Sequence, residues 1–260
     1  MTIRGIPEAS SDIQKFRDAD NAVRSLYDII PLTSFEEAKI DGEDSASYFI
    51  KVVRNRQNIK PLPYSEFKIY DELRFIAGDV KYYTALLHFL RPYITDSTND
   101  GTYHQTLEDR RYMMAASTCF QSVYNFWDRI GDILNAYFVT GLPDSSNYFS
   151  RVLNNFPAAF RNSENYIWLN DNFNSEIKRF VGQRDNIVHT YQLECEFYWR
   201  VMEAKMDMDK IEMIQAEKES FPEVFVNHLK IMHEGFPRAI KLIQELPEKA
   251  FTNLDNNSPS

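Results

Sequence analysis

Residues Thr106–Thr140, TLEDRRYMMAASTCFQSVYNFWDRIGDILNAYFVT, decide the fold class. Within them Met113, Ala116, Phe120, Val123, Trp127, Ile130, Leu134 and Tyr137 step alternately by three and four residues, which holds them on one side of a helix turning about 100° per residue. A seam of that length needs other helices to cover it, so the stretch reads as one long helix of a bundle. A second stripe is polar: Gln121, Asn125, Asp128, Asp132 and Asn135. Asp128 and Asp132 lie one turn apart, a pair that could assist acid–base chemistry, hold a cation, stay solvated or answer an arginine on a neighbouring helix.

Outward from this helix the same period recurs. Ser11–Ile30 reads as a first amphipathic helix ended near Pro31, Thr33–Asp44 as irregular or a short turn of helix, and Ser45–Asn58 as a second helix ending before Pro61 and Pro63. The small basic cluster Arg54-Asn55-Arg56 in that second helix reads as a solvated face rather than a phosphate-binding patch. Tyr64–Tyr93 is strongly helical, with His88 among apolar neighbours, and Thr95–Thr102, TDSTNDGT, is the best loop or boundary in the chain. Beyond Thr140 the pattern predicts a short helix over Tyr148–Asn155, then a polar stretch with Tyr166, Trp168 and Leu169 packed in. Met206–Glu219 is charged and weakly periodic, and the last helix runs over Pro222–Leu246 with Pro237 as a kink or break. No run with strand alternation stands out, so the expected fold is all-α, with roughly seven to nine helices in a single domain. Residues 251–260 read as a disordered tail.

Composition limits the function classes. The chain of 260 residues is 43% hydrophobic and carries a formal net charge of −9, which repels a phosphate backbone and confines any RNA contact to a local site. No apolar stretch approaches the roughly 20 residues that cross a bilayer, and MTIRGIPEASSD lacks the apolar core of a signal peptide. The expectation is a cytoplasmic protein with no membrane contact. Cys119 and Cys195 lie within helical patterns and read as small core residues, and His228 and His233, five apart, have poor metal-binding geometry. With no Gly-rich phosphate loop, Glu-x-x-His or Cys-x-x-Cys, no cofactor is expected.

The segment Ser175–Arg200 carries the candidate chemistry. Phe180, Val188, Tyr191, Cys195 and Tyr198, continued by Met202, recur at helical spacing, and Arg184 sits on that stripe, so a cation faces the core or a partner. Asp185 and His189 fall one turn apart on a neighbouring polar face with Gly182, Gln192 and Glu196, which lets the carboxylate hold and orient the imidazole. Arg184 and His189 point about 140° apart on a continuous helix, so they converge only if the helix starts or bends near Arg184 or if the site is shared between chains. Gly182 makes a break there plausible.

The run Gln183-Arg184-Asp185-Asn186-Ile187-Val188-His189 resembles the signature of the HEPN family (higher eukaryotes and prokaryotes nucleotide-binding): an Arg, a small polar residue, and a His four to six positions after the Arg. The resemblance covers mainly Thr106 to about Lys205, a HEPN-like core (106–205) with residues 1–100 as a helical N-terminal extension. It implies an all-α up-and-down bundle with a four- to five-helix core that dimerises so that two Arg/His motifs meet, an irregular connection before the motif helix, and a metal-independent endoribonuclease of toxin–antitoxin or defence type. Arg184, His189 and Asp185 would then be catalytic, Arg184 and Asn186 would bind substrate, and Asp128 and Asp132 would support them. The partners implied are a second copy, RNA, and a protein partner such as an antitoxin. Metal-free cleavage needs a base at the 2′-hydroxyl, a cation at the phosphorane and an acid at the leaving oxygen. One His cannot be base and acid at once, and a second His189 from a symmetry mate supplies the other role. Two other readings stay open, a noncatalytic nucleotide- or RNA-binding module and a helical protein-interaction domain. The purely structural alternative for these residues is a buried ion pair of Arg184 with Asp128 or Asp132 and a surface His189 held by Asp185.

Overall fold

The structure, a computed structural model, describes residues 9–29, 38–94, 106–143, 148–178, 180–182, 193–204 and 207–249. Its architecture is all-α, as the seam requires. The helices are α1 (Ala9–Ile29), α2 (Ser45–Asn55), α3 (Glu66–Leu90), α4 (Leu107–Tyr137), α5 (Phe149–Asn154), α6 (Glu164–Asn172), α7 (Leu193–Glu203), α8 (Met208–Glu219) and α9 (Phe221–Gln244). All eight seam residues of α4, from Met113 to Tyr137, are buried. Among the described residues no helix is long and apolar enough to cross a membrane. The expected loop at Thr95–Thr102 and the expected tail over 251–260 lie outside the described residues.

The chain forms two compact units. The first takes Met1–Thr33, Phe75–Asn125 and Arg179–Met232. Its core is aromatic: Phe120 lies 4.7 Å from Phe180, 5.1 Å from Phe225 and 5.8 Å from Phe221 between ring centroids. At the start of α4, Thr106 is the N-cap. Its amide and hydroxyl donate to Asp109 Oδ2, at 2.9 and 2.7 Å, and Asp109 N donates back to Thr106 Oγ1, a reciprocal capping box. The other oxygen of Asp109 meets Lys218 Nζ at 3.1 Å, with both side chains buried. Tyr112 Oη donates to the Lys218 carbonyl at 2.7 Å, so the C-terminal end of α8 is tied to the first turns of α4.

The second unit takes Ser34–Arg74, Phe126–Lys178 and His233–Ser260. Phe49 stacks near Phe236 at 5.9 Å, Trp127 near Phe149 at 4.9 Å and Phe138 near Phe156 at 4.4 Å. Gly235 of α9 is required by a close approach, since a Cβ there would lie 2.4 Å from Trp127 Cη2 and 3.2 Å from Trp168 Cζ3. Gly235→Ala is therefore expected to cost about 3 kcal/mol. Gly78→Ala in α3, where nothing lies within 4 Å, should instead stabilise by up to about 1 kcal/mol. Denaturant midpoints of the two variants, moving in opposite directions, check the pair.

Five local readings change. In the stretch expected to be irregular or a turn of helix, Lys39–Ile40 and Glu43–Asp44 pair as a small antiparallel hairpin. Asp41 and Gly42 both take positive φ, 53° and 88°, the geometry an Asp-Gly turn favours. The stretch expected to be a polar, irregular connection is α6, capped by Ser163, whose hydroxyl accepts from Asn165 N at 3.2 Å, and continued by a π-helical turn over Phe173–Ile177. Its buried residues, Tyr166, Leu169, Phe173 and Ile177, keep helical spacing beneath the Asn and Asp side chains. Met208–Glu219, weakly periodic in sequence, is α8, capped by Asp207. Pro237 does not break α9, which runs through it between the buried residues Phe236, Ala239 and Ile240. In the Arg54/Arg56 cluster, Arg54 pairs with Glu66 and lies over the Phe67 ring, while Arg56, its side chain only 11% exposed, pairs with Glu248 at 2.9 Å, so Arg56 is covered rather than part of a solvated face.

Candidate functional site

Arg184, Asp185, Asn186 and His189 fall in 183–192, outside the described residues. The chain leading to them is anchored by Phe180, buried against Phe120 and 4.1 Å from the His228 ring. Residues 181 and 182 are still helical, and Gly182 is exposed with no atom near the position of a Cβ.

Beyond the motif, α7 starts at Leu193, and its phase differs from the one the sequence suggests. Leu193 and Phe197 are the buried residues of this helix, with Phe197 against the Phe221 ring at 5.7 Å. Cys195 and Tyr198, expected on the inward stripe, are only partly covered, and Met202 is exposed. Cys195 is thus not a core residue, whereas Cys119 is. The inward side of α7 is set by Leu193 and by Phe197, its largest apolar anchor.

His228 is the titratable group that spacing alone undervalues. It stands in α9 with Phe221, Phe225 and Met232 at steps of three and four, the signal of an inward position. It is 4% exposed, and its Nδ1 has no hydrogen-bond partner among the described residues. Burial lowers its pKa to about 4, so it stays neutral in the fold. The unfolded chain binds a proton below about 6.5. The stability this supplies is therefore fully present above that value and is lost as pH falls from about 6.5 to 4, by roughly 3 kcal/mol. Urea midpoints across this range should fall in wild type and flatten in His228→Leu; an unchanged slope would remove His228 as the cause.

Asp128 and Asp132 line a cleft of about 490 Å³ in the second unit, with Lys60, Arg129, Asn135 and Tyr148. Asp132 meets Arg129 Nη1 at 2.8 Å, and Arg129 Nε meets Glu72 at 2.8 Å. Burial works against the Arg129 charge, but these two carboxylates outweigh it and raise its pKa. Asp128 Oδ1 accepts from Phe149 N at 3.4 Å, at the first turn of α5. Lys60 Nζ donates to the Leu142 carbonyl at 2.6 Å. The described part of the structure thus gives Asp132 an arginine partner from its own helix, one turn away. Among the described residues no group of three or more His, Cys, Asp or Glu side chains is placed to hold a metal ion.

The family model of Cthe2314-like HEPN domains matches residues 70–254, from within α3 past the end of α9. The chain belongs to the HEPN family. The match takes in the whole of the Arg184–His189 run and the cleft-lining part of α4. Comparison with curated proteins and with solved structures found no match. As a HEPN protein the chain has a helical scaffold into which Phe180 on one side of the motif and Leu193 on the other are packed.

Proposed function

We propose that this HEPN protein is a metal-independent endoribonuclease of defence or toxin type, active as a homodimer. The observation that carries the reading is the family match across residues 70–254, which contains an Arg-x4-His run with a carboxylate next to the Arg. Arg184 supplies a fixed, planar donor to the phosphate, and His189 exchanges the proton near neutrality. Asp185 orients His189, and Asn186 adds a donor to substrate. His189 of the second copy takes the complementary acid or base role, so a two-fold contact completes the site.

Purified protein should cut single-stranded RNA in the presence of EDTA and leave 2′,3′-cyclic phosphate ends. RNA that stays intact in EDTA but is cut when Mg²⁺ is added rejects the mechanism. A second reading, a helical protein-interaction domain, is favoured by the net charge of −9, which repels RNA. It predicts that neither RNA nor nucleotides shift the melting temperature and that no RNA is cleaved at any divalent concentration.

A further inference from the structure

Helix α7 is apolar on both sides. Leu193 and Phe197 face the core, while the opposite side presents Cys195, Tyr198, Trp199 and Met202. Trp199 is 52% and Met202 44% exposed, and the Tyr198 and Trp199 rings meet edge to face at 5.4 Å. Water-facing sides of helices are ordinarily polar, and a cluster of large apolar side chains left in water marks a face that another surface covers. Asp207 N donates to the Ala204 carbonyl in the turn to α8, where Met208 is 51% and Met213 72% exposed. Three exposed methionines, Met202, Met208 and Met213, thus lie within twelve residues of sequence. That concentration points to a surface that must fit itself to another molecule, because the thioether chain is unbranched, flexible and polarisable.

Charge selects the occupant. Glu194, Glu217 and Asp207 are answered by Arg110, Arg200 and Lys210. Glu203, Asp209, Glu212 and Glu219 are exposed on the same helical hairpin and have no ion-pair partner among the described residues. These carboxylates repel nucleic acid and anionic lipid, and a two-fold contact between copies would set them against their own kind. A cationic surface would be drawn to them.

We infer that the outer face of the α7–α8 hairpin is a docking site for a basic, amphipathic helical segment of another protein. The apolar stripe of that segment covers Trp199 and Met202, and its Lys or Arg side chains reach Glu203 and Glu212, the helix-in-groove mode of recognition. This inference does not rest on the ribonuclease reading.

The test is calorimetric titration of the full chain with two synthetic peptides of roughly 18 residues, about five helical turns. One has Leu and Lys at helical spacing, and the other has the same composition in scrambled order. The amphipathic peptide should bind one per chain and at least about tenfold tighter than the scrambled one. Trp199→Ser/Met202→Ser should abolish that preference with the melting temperature unchanged. Glu203→Lys/Glu212→Lys should weaken both peptides by about tenfold and flatten the salt dependence. Equal binding of the two peptides, or a preference that survives the double serine variant, overturns the inference. So does a wild-type dimer, by light scattering, that the serine variant dissolves, since the face would then be covered by a second copy.

Discussion

His189→Ala is expected to lower RNA cleavage in EDTA by about 10³-fold or more while leaving the melting temperature unchanged. The magnitude follows from the role. A general base or acid contributes roughly 10²–10⁴-fold, and in the proposed dimer the same substitution removes one group from each side of the two-fold. Arg184→Ala should cost about 10²–10³-fold, the usual loss of a single donor aimed at developing charge. Dimers mixed from wild-type and His189→Ala subunits separate the shared site from two independent ones. A shared site loses both composite centres, whereas independent sites retain about half the activity. Cleavage by His189→Ala at the wild-type rate would leave the family membership intact and remove the catalytic assignment.

The largest stability effect should come from the buried pair of Asp109 and Lys218. Asp109→Ala removes the carboxylate from an ammonium that is fully buried and dissolves the capping box with Thr106. Breaking a buried pair by deleting one member costs about 3–5 kcal/mol, because the remaining charge loses its compensation inside the fold. The cap adds about 1 kcal/mol. Replacing both members, as Asp109→Leu/Lys218→Met, should recover much of the loss, since the desolvation cost of both charges disappears with them. Urea unfolding of the two single variants and the double variant gives the coupling directly. A coupling near zero would mean that the pair is incidental to stability.

How much of this was legible in advance differs from helix to helix. The α4 seam was fully legible because a single uninterrupted helix preserves the phase of its apolar residues over many turns. The bounds of α2 and α3 were nearly as clear, with prolines beyond one and a cap region before the other. The inward face of α7 was not, because its sequence is apolar on the side of Cys195 and Tyr198 as well as on that of Leu193 and Phe197, and spacing alone does not rank the two. The hairpin at Lys39–Asp44 was missed, although its Asp-Gly step is a turn signal that outweighs the polarity of its surroundings. Nothing local announces the Asp109–Lys218 pair, since both residues are ordinary solvent-face types and their meeting depends on how α8 packs against α4. For the candidate site, the sequence supplied Arg184, Asp185, Asn186 and His189. The structure added His228 behind Phe180 and the arginine partner of Asp132.

The burial of Cys119 has a practical side. Its thiol is enclosed, pushed well above the usual range by burial, and its Sγ points at the Val80 carbonyl at 3.8 Å. Cys195, on the outer side of α7, is partly open to solvent. Only thiolates that solvent can reach react readily with maleimides. The natural chain therefore carries its own single attachment point for a fluorophore, one helical turn from Trp199, and no cysteine needs to be engineered in to watch that surface become occupied.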